Sequence, residues 1–303
     1  MENAAGSPGL ILVTGATGFV GRHLVAHLRK QGAPVRCLVR TPGKAGALAE
    51  LGAEVVPGDI LAPDTLEKAA AGVQRVVHLV GIIQERGTAT FDAIHVEGTR
   101  NLLEACRGKG IRCFLYQSAL GTRPDARSRY HQTKWQAEEL VRASGLPYTI
   151  SRPSLIYGRG DDFTTRLVRA LRMAPVALVP GPGTAKLQPL FIEDLVRCLH
   201  RMLVDPGFLG ETVEMGGPEQ LTLDRVIQAI ARAVKRPRPL CHLPVGLLRP
   251  AAAIMEALLP TPPLTRDQLV MLQEDNVCAV DSVARRFGFD PVGFEQGLAR
   301  IFP

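Results

Sequence analysis

Three glycines at three-residue spacing, Gly15, Gly18 and Gly21, stand in the stretch ILVTGATGFVG, between a short apolar run and a helical pattern. Such a junction makes an anion site, because free backbone N–H groups and the positive end of a helix dipole face one point. A pyrophosphate fits it. Gly15 is expected to permit the tight turn, Gly18 the approach of phosphate to backbone, and Gly21 the close packing of helix on strand. Thr17, Phe19 and Val20 share this loop and helix start and belong to the expected nucleotide-binding set. The spacing is GxxGxxG, whereas the usual dinucleotide fingerprint is GxGxxG.

A second constellation is Ser118 with Tyr130-His131-Gln132-Thr133-Lys134. Tyr130 and Lys134 are four apart at a helix start, so both point along one face. A nearby ammonium favours the phenolate, which predicts a depressed tyrosine pKa and proton exchange with a substrate oxygen. Lys134 is also suited to holding a ribose, and Ser118, just past a strand, to hydrogen-bonding a substrate carbonyl. Tyr130, Lys134 and Ser118 are the expected catalytic residues.

Other positions bear on the nucleotide. The second strand ends Leu38-Val39-Arg40, where folds that prefer NAD usually place an acid for the ribose 2′-hydroxyl. A guanidinium there suits a 2′-phosphate, with Arg36 and Lys44 nearby, and this predicts NADP(H) in preference to NAD(H). The alternative is a solvent-facing arginine at a strand end. Gly58-Asp59-Ile60 follows the third strand, where Asp59 is suited to accept from an adenine amine and Ile60 to pack on the ring; a turn aspartate capping the next helix is the competing reading. In His78-Leu79-Val80-Gly81, Val80 and Gly81 are expected beside the nucleotide, and His78 reads as a satisfied core histidine.

The elements that must position these residues alternate. Leu10–Val13, Val35–Val39, Glu54–Val56, Val76–Val80, Cys113–Gln117 and Tyr148–Ser151 read as strands, and Lys44–Leu51, Pro63–Ala71, Phe91–Lys109 and His131–Ser144 as helices between them. This predicts an α/β fold: a Rossmann-type doubly wound parallel sheet with a smaller C-terminal α/β substrate lobe. The expected division is 1–153 for nucleotide binding and 154–303 for completing the sheet and forming the lobe. Beyond 153, Thr164–Leu171, Ile192–Val204, Leu221–Val234 (capped near Thr222), 245–258 and 265–274 read as helices and Glu211–Met215 as a strand, followed by a short strand and helix. Asp161-Asp162 solvate a loop or cap a helix.

With 303 residues and 46% hydrophobic content the chain can bury a substantial core. The net charge of +7 is spread along the chain, which argues against a nucleic-acid partner and suits a phosphorylated cofactor or an anionic membrane face. Six cysteines without framework spacing point to reduced thiols. His23 and His27 have no evident third ligand, so no metal is expected. No secretory signal and no run long enough to span a bilayer are evident, so a cytoplasmic protein, soluble or peripheral to a membrane, is expected. The apolar run Leu243–Leu259 is expected to pack over the cofactor lobe, with contact to a membrane surface as the alternative.

The segments TGATGFVG, GDI, HVEGTRNLLEAC, YxxxK and RPSLIYG resemble the extended short-chain dehydrogenase/reductase superfamily over essentially the whole chain. HLVGIIQE, YQSALG, YHQTKWQAEE and LQPLFIEDLVRCL resemble its atypical branch, which contains the NAD(P)-binding accessory subunit of respiratory complex I and bacterial epimerase/dehydratase-like proteins. The resemblance implies a bound nicotinamide dinucleotide, with Arg152-Pro153 and Tyr157-Gly158 flanking the nicotinamide end. It differs at His95, where the family commonly has asparagine, and in the short gap between Ser118 and Tyr130. Two functions are implied. One is hydride transfer at a carbonyl or carbinol carbon of a small molecule. The other is a non-catalytic, NADPH-holding assembly or stability subunit of a respiratory complex or quinone-handling assembly, peripheral to the inner membrane.

Overall fold

The computed structural model describes residues 9–303. The stretch before them, on which the expected lack of a secretory signal bears, lies outside the described residues. β1 (Ile11–Thr14) is buried at every position, as a strand covered on both sheet faces must be. It pairs in parallel with β2 (Val35–Val39) on one side and β4 (Arg75–His78) on the other. β3 (Glu54–Pro57) lies outside β2; β5 (Cys113–Gln117) and β6 (Tyr148–Pro153) follow β4, all in parallel. With β11 (Thr212–Met215) the sheet has seven strands in the order β11-β6-β5-β4-β1-β2-β3. Strand order reverses between β1 and β4, so the crevice that binds ligands in such sheets opens where Thr14 and His78 stand in register.

Helices α1 (Phe19–Lys30), α2 (Gly46–Glu50), α3 (Pro63–Ala69), α4 (Gly98–Cys106) and α5 (Arg129–Ala143) make the crossovers. Phe114, Tyr116 and Ile150 of the sheet pack in one apolar cluster with Leu102 of α4 and Ala137 and Val141 of α5. Two expected elements differ. Phe91–Lys109 is not one helix, since a π-helical turn, Asp92–Glu97, precedes α4. β4 stops at His78, two residues early, because after Leu79 donates to the Thr14 carbonyl at 3.2 Å the chain leaves the sheet.

Further along come β7 (Ile156–Tyr157), α6 (Asp162–Met173), β8 (Ala177–Pro180), β9 (Lys186–Leu187), β10 (Leu190–Phe191) and α7 (Ile192–Val204). After β11 follow β12 (Leu221–Thr222), α8 (Leu223–Ala233), β13 (Leu240–Leu243) and α9 (Val245–Leu258). The chain ends with α10 (Arg266–Met271), α11 (Ser282–Phe287) and α12 (Phe294–Ile301). Strands β7 to β10, β12 and β13 form two-stranded pairs; β7, β9, β10 and β12, of two residues each, are too short to leave a periodic signal. The strand expected near the end of the chain is a single bridge of Asn276 to Leu187. Side-chain caps start several helices: Asp161 accepts from Thr164 N at 2.6 Å, Thr222 from Arg225 N at 3.3 Å, and Thr265 with Gln268 forms a capping box.

The chain forms two compact units. One comprises the residues up to Ser118, Thr133–Arg152 and Val196–Val213; the other Ala119–Gln132, Pro153–Leu195 and Glu214–Pro303. The expected division at 153/154 is therefore crossed in both directions. Residues 196–213 belong with the first because α7 lies on the sheet, where Arg75 Nε donates to Leu203 O at 3.1 Å. In the second, Tyr157 packs between Phe191 and Phe294. Among the described residues no helix is long and apolar enough to cross a membrane.

Candidate functional site

The glycine turn is built as its spacing demands. Gly15 has φ +75°, and a Cβ there would stand 3.0 Å from Leu79 C and Val80 N. Val80 thus borders the loop through its backbone. Gly18 N donates to Gly15 O at 3.0 Å, and a Cβ on Gly21 would overlap that same carbonyl oxygen. So Gly21 lets α1 close onto its own loop. Helix α1 starts at Gly18 with no side-chain cap and no acid in its first turn, and Thr17 and Gly18 are exposed. An uncapped, acid-free helix start behind a glycine cradle fits a pyrophosphate. Val20 is buried in α1, while the Phe19 ring lies edge-on to His23, with Arg22 over it.

At the end of β2, Arg40 and Lys44 are exposed and have no ion pair or side-chain hydrogen bond among the described residues. Arg36 does not join them. Its guanidinium donates to the carbonyls of Ala69 (2.9 Å) and Ala71 (2.6 Å) and pairs with Glu54 at 3.0 Å, because an early β2 position faces the end of α3. Asp59 forms a turn, with Oδ1 accepting from Leu61 N at 3.0 Å. The Ile60 side chain is buried against Gly98, where a Cβ would collide with it.

A directional chain of buried hydrogen bonds runs from β1 to the turn before α4. Thr99 Oγ1 donates to His95 O (2.6 Å), so it must accept from His78 Nε2 (3.1 Å). His78 Nδ1 in turn accepts from Thr14 Oγ1 (2.7 Å). His78 is the satisfied core histidine, and burial, with Lys134 nearby, pushes its imidazole down to about 3. The side chain of His95 faces the other way. Its Nε2 accepts from Ile82 N at 3.1 Å, which places the proton on Nδ1, donating to Thr133 Oγ1 at 2.9 Å. Burial and Lys134 push His95 to about 2, fixing it neutral.

Lys134 is buried, donates from Nζ to Gln117 O at 2.7 Å and lies 4.5 Å from the Tyr116 ring centre. A Cβ on exposed Gly81 would be 3.6 Å from both Lys134 Nζ and His95 Nε2, so an ammonium and a neutral imidazole edge flank one open backbone position. Burial lowers the Lys134 ammonium to about 7, opposed by Glu138. Glu138 itself is held by Arg152 at 2.8 and 2.6 Å and by Arg142 at 2.7 Å. Ser118 is buried at the end of β5, its N–H bonded to Ser151 O at 2.7 Å.

Tyr130 stands one turn ahead of Lys134 in the continuous helix α5. Its surroundings differ from expectation. Burial and the Asp267 carboxylate raise its phenol to about 12, so the expected depression by an ammonium is absent. Asp267 accepts the N–H groups of Arg129 (2.7 Å) and Tyr130 (3.1 Å), a cap that sequence spacing gave no means of finding. In the same unit Pro153 O accepts from Leu120 N at 2.9 Å, and Tyr157 donates to Gly293 O at 3.3 Å within an aromatic core. His27 bonds His200 at 3.0 Å, and no group of three metal-ligating side chains occurs among the described residues.

Residues 11–216 match the NAD dependent epimerase/dehydratase family. Ceramide reductase of Caulobacter vibrioides is 36% identical over 191 residues, 63% of this chain and 60% of that protein, so the match spans less than two thirds of that relative. The 40 kDa subunit of the mitochondrial NADH-ubiquinone oxidoreductase of Neurospora crassa is 26% identical over 286 residues, 92% of this chain and 75% of that one. An NADPH-dependent quinone oxidoreductase from Escherichia coli, solved with NADPH, superposes with a TM-score of 0.78 over 97% of this chain and 100% of its own. At 19% identity that is a likeness of fold.

Proposed function

The chain belongs to the NAD-dependent epimerase/dehydratase family, and on that premise we propose that it is an NADP(H)-dependent oxidoreductase acting at a carbonyl or carbinol carbon of a small molecule. The observation that carries this reading is the buried ammonium of Lys134, set beside open Gly81 and one helical turn beyond Tyr130. A nicotinamide dinucleotide bound at the glycine cradle supplies or accepts the hydride.

The chain's own residues do the rest. Gly15, Thr17, Gly18, Phe19, Val20 and Gly21 hold the pyrophosphate end. Arg40, uncommitted to any partner among the described residues, grips a 2′-phosphate through paired charge-assisted bonds, which supports NADP(H) over NAD(H). Asp59 and Ile60 border the adenine, Val80 and Gly81 the middle of the nucleotide, and Pro153 its nicotinamide end. Lys134 holds the nicotinamide ribose. Ser118 orients the substrate oxygen. Tyr130, held protonated by its surroundings, donates its hydroxyl proton to that oxygen in the reducing direction and takes it back in reverse. The likeness to a ceramide reductase supports reduction as the working direction.

Tyr130→Phe tests the reading. Turnover of a carbonyl substrate should fall by about a hundredfold or more, the usual worth of a general acid, while NADPH binding is retained. The second reading, an assembly subunit with a structural nucleotide, is favoured by the likeness to the Neurospora subunit over 92% of this chain. It requires that Tyr130→Phe leave partner association and stability unchanged.

A further inference from the structure

Glu138 lies one helical turn beyond Lys134 in α5, and both side chains are buried, Glu138 at 0% exposure. Two guanidiniums fix its carboxylate. Arg152 of β6 donates from Nε and Nη2 to its two oxygens at 2.8 and 2.6 Å, a bidentate pair. Arg142, one turn further along α5, adds a bond of 2.7 Å. Arg142 also donates to Thr212 Oγ1 of β11 at 3.1 Å, so the cluster ties the helix to two neighbouring strands. Trp135, the single tryptophan of the chain, has both guanidiniums over its ring, 5.1 and 5.8 Å from its centre.

Joining α5 to the sheet does not require charge, since buried ion pairs are often no more stabilising than apolar packing of the same volume. The place of this carboxylate does call for one. Lys134 is a buried ammonium that donates to Gln117 O at 2.7 Å and faces the Tyr116 ring, 4.5 Å from its centre. The titratable groups near it carry no compensating charge. His78 and His95 are held neutral by burial, and Tyr130 keeps its phenol proton. Burial lowers the ammonium to about 7, and Glu138 is the charge that works against this.

We propose that Glu138 is a positioning residue for Lys134: clamped by Arg142 and Arg152, its carboxylate keeps the Lys134 side chain an ammonium, bonded to Gln117 O and presented beside Gly81. The proposal rests on the reading of Lys134 as the group that holds the nicotinamide ribose, a role that a charged donor serves. A carboxylate that only braces the fold and one that sets the charge of Lys134 differ in sign. Loosening the fold lets water reach Lys134 and raises its titration midpoint, whereas removing the charge lowers it.

The test is the titration of Lys134 in the purified full chain, free of nucleotide, followed by NMR of isotope-labelled lysine. Lys134→Met identifies the resonance, and Trp135 emission checks that the cluster remains packed. In Glu138→Gln the midpoint should fall by about one pH unit or more, the effect of losing an opposite charge close by. Glu138→Asp, which keeps the charge, should restore most of it. Should the single variant fail to fold with two guanidiniums uncompensated, Glu138→Gln/Arg142→Gln removes one charge of each sign. A smaller fall is still expected there, because Glu138 stands a turn nearer to Lys134 than Arg142 does. A midpoint that stays or rises in these variants would overturn the proposal. NADPH affinity over the same pH range tests the ribose reading separately, because the midpoint is read without nucleotide. Affinity that ignores the Lys134 proton contradicts the ribose role, and a midpoint that ignores Glu138 contradicts the proposal.

Discussion

The carboxylate of Asp267, in the first turn of α10, accepts the backbone N–H of Tyr130 at 3.1 Å and that of Arg129 at 2.7 Å. A residue 137 positions downstream thus caps the helix that carries the proposed acid. The same charge, with burial, keeps the Tyr130 phenol protonated. Burial is the larger of the two causes, and without this carboxylate the positive end of the helix would act against burial alone.

Asp267→Ala should therefore do two things. Removing the cap should cost about 1 kcal/mol of stability, measurable by urea unfolding. It should also lower the ionisation midpoint of Tyr130, read as the phenolate absorbance lost between the variant and its Tyr130→Phe double. A midpoint that does not fall would show that burial alone sets the phenol.

How much of this was legible in the sequence divides by distance along the chain. The strand, glycine turn and helix of residues 11–30 could be read because each part depends on neighbours a few positions away. The positive φ of Gly15 and the close approach at Gly21 follow from that local geometry. The Asp267 cap joins two distant segments and leaves no periodic trace. Arg36 looked available beside Arg40 because a sequence does not show that its strand position meets the end of α3. Hydrophobicity located α9 but could not show which way its apolar side faces.

Lys134 gives a pH signature. Its ammonium titrates near 7 in the fold against about 10.4 in an unfolded chain. Between those values the unfolded state binds the extra proton, so this residue makes stability rise with pH, and below about 7 its penalty is fully present. Lys134→Met should accordingly gain most over wild type at pH 7, with the gap narrowing toward pH 10. Melting curves of the pair at both pH values check it, and a constant gap contradicts it.

Arg40 sets nucleotide preference if its exposed guanidinium meets a 2′-phosphate. Arg40→Ala should weaken NADPH by about tenfold to a hundredfold, matching the ~1.5–3 kcal/mol of hydrogen bonds to a charged group, and leave NADH nearly unchanged. Equal losses for both would assign Arg40 to the fold or to solvent.

Gly21→Ala places a methyl group on the Gly15 carbonyl oxygen. The backbone cannot give way cheaply there, so α1 must shift from β1 and distort the cradle. NADPH binding should be lost even where the variant remains folded by circular dichroism. Binding at wild-type strength would mean that the loop relaxes freely.

The central claim is tested most directly by the binding and release of NADPH, followed by its fluorescence on the purified protein, with NADH alongside. An oxidoreductase that turns its nucleotide over predicts that NADPH binds more tightly than NADH and leaves within seconds. Tighter NADH would contradict the reading of Arg40, and NADPH held for hours would contradict turnover and favour a nucleotide kept as part of the structure.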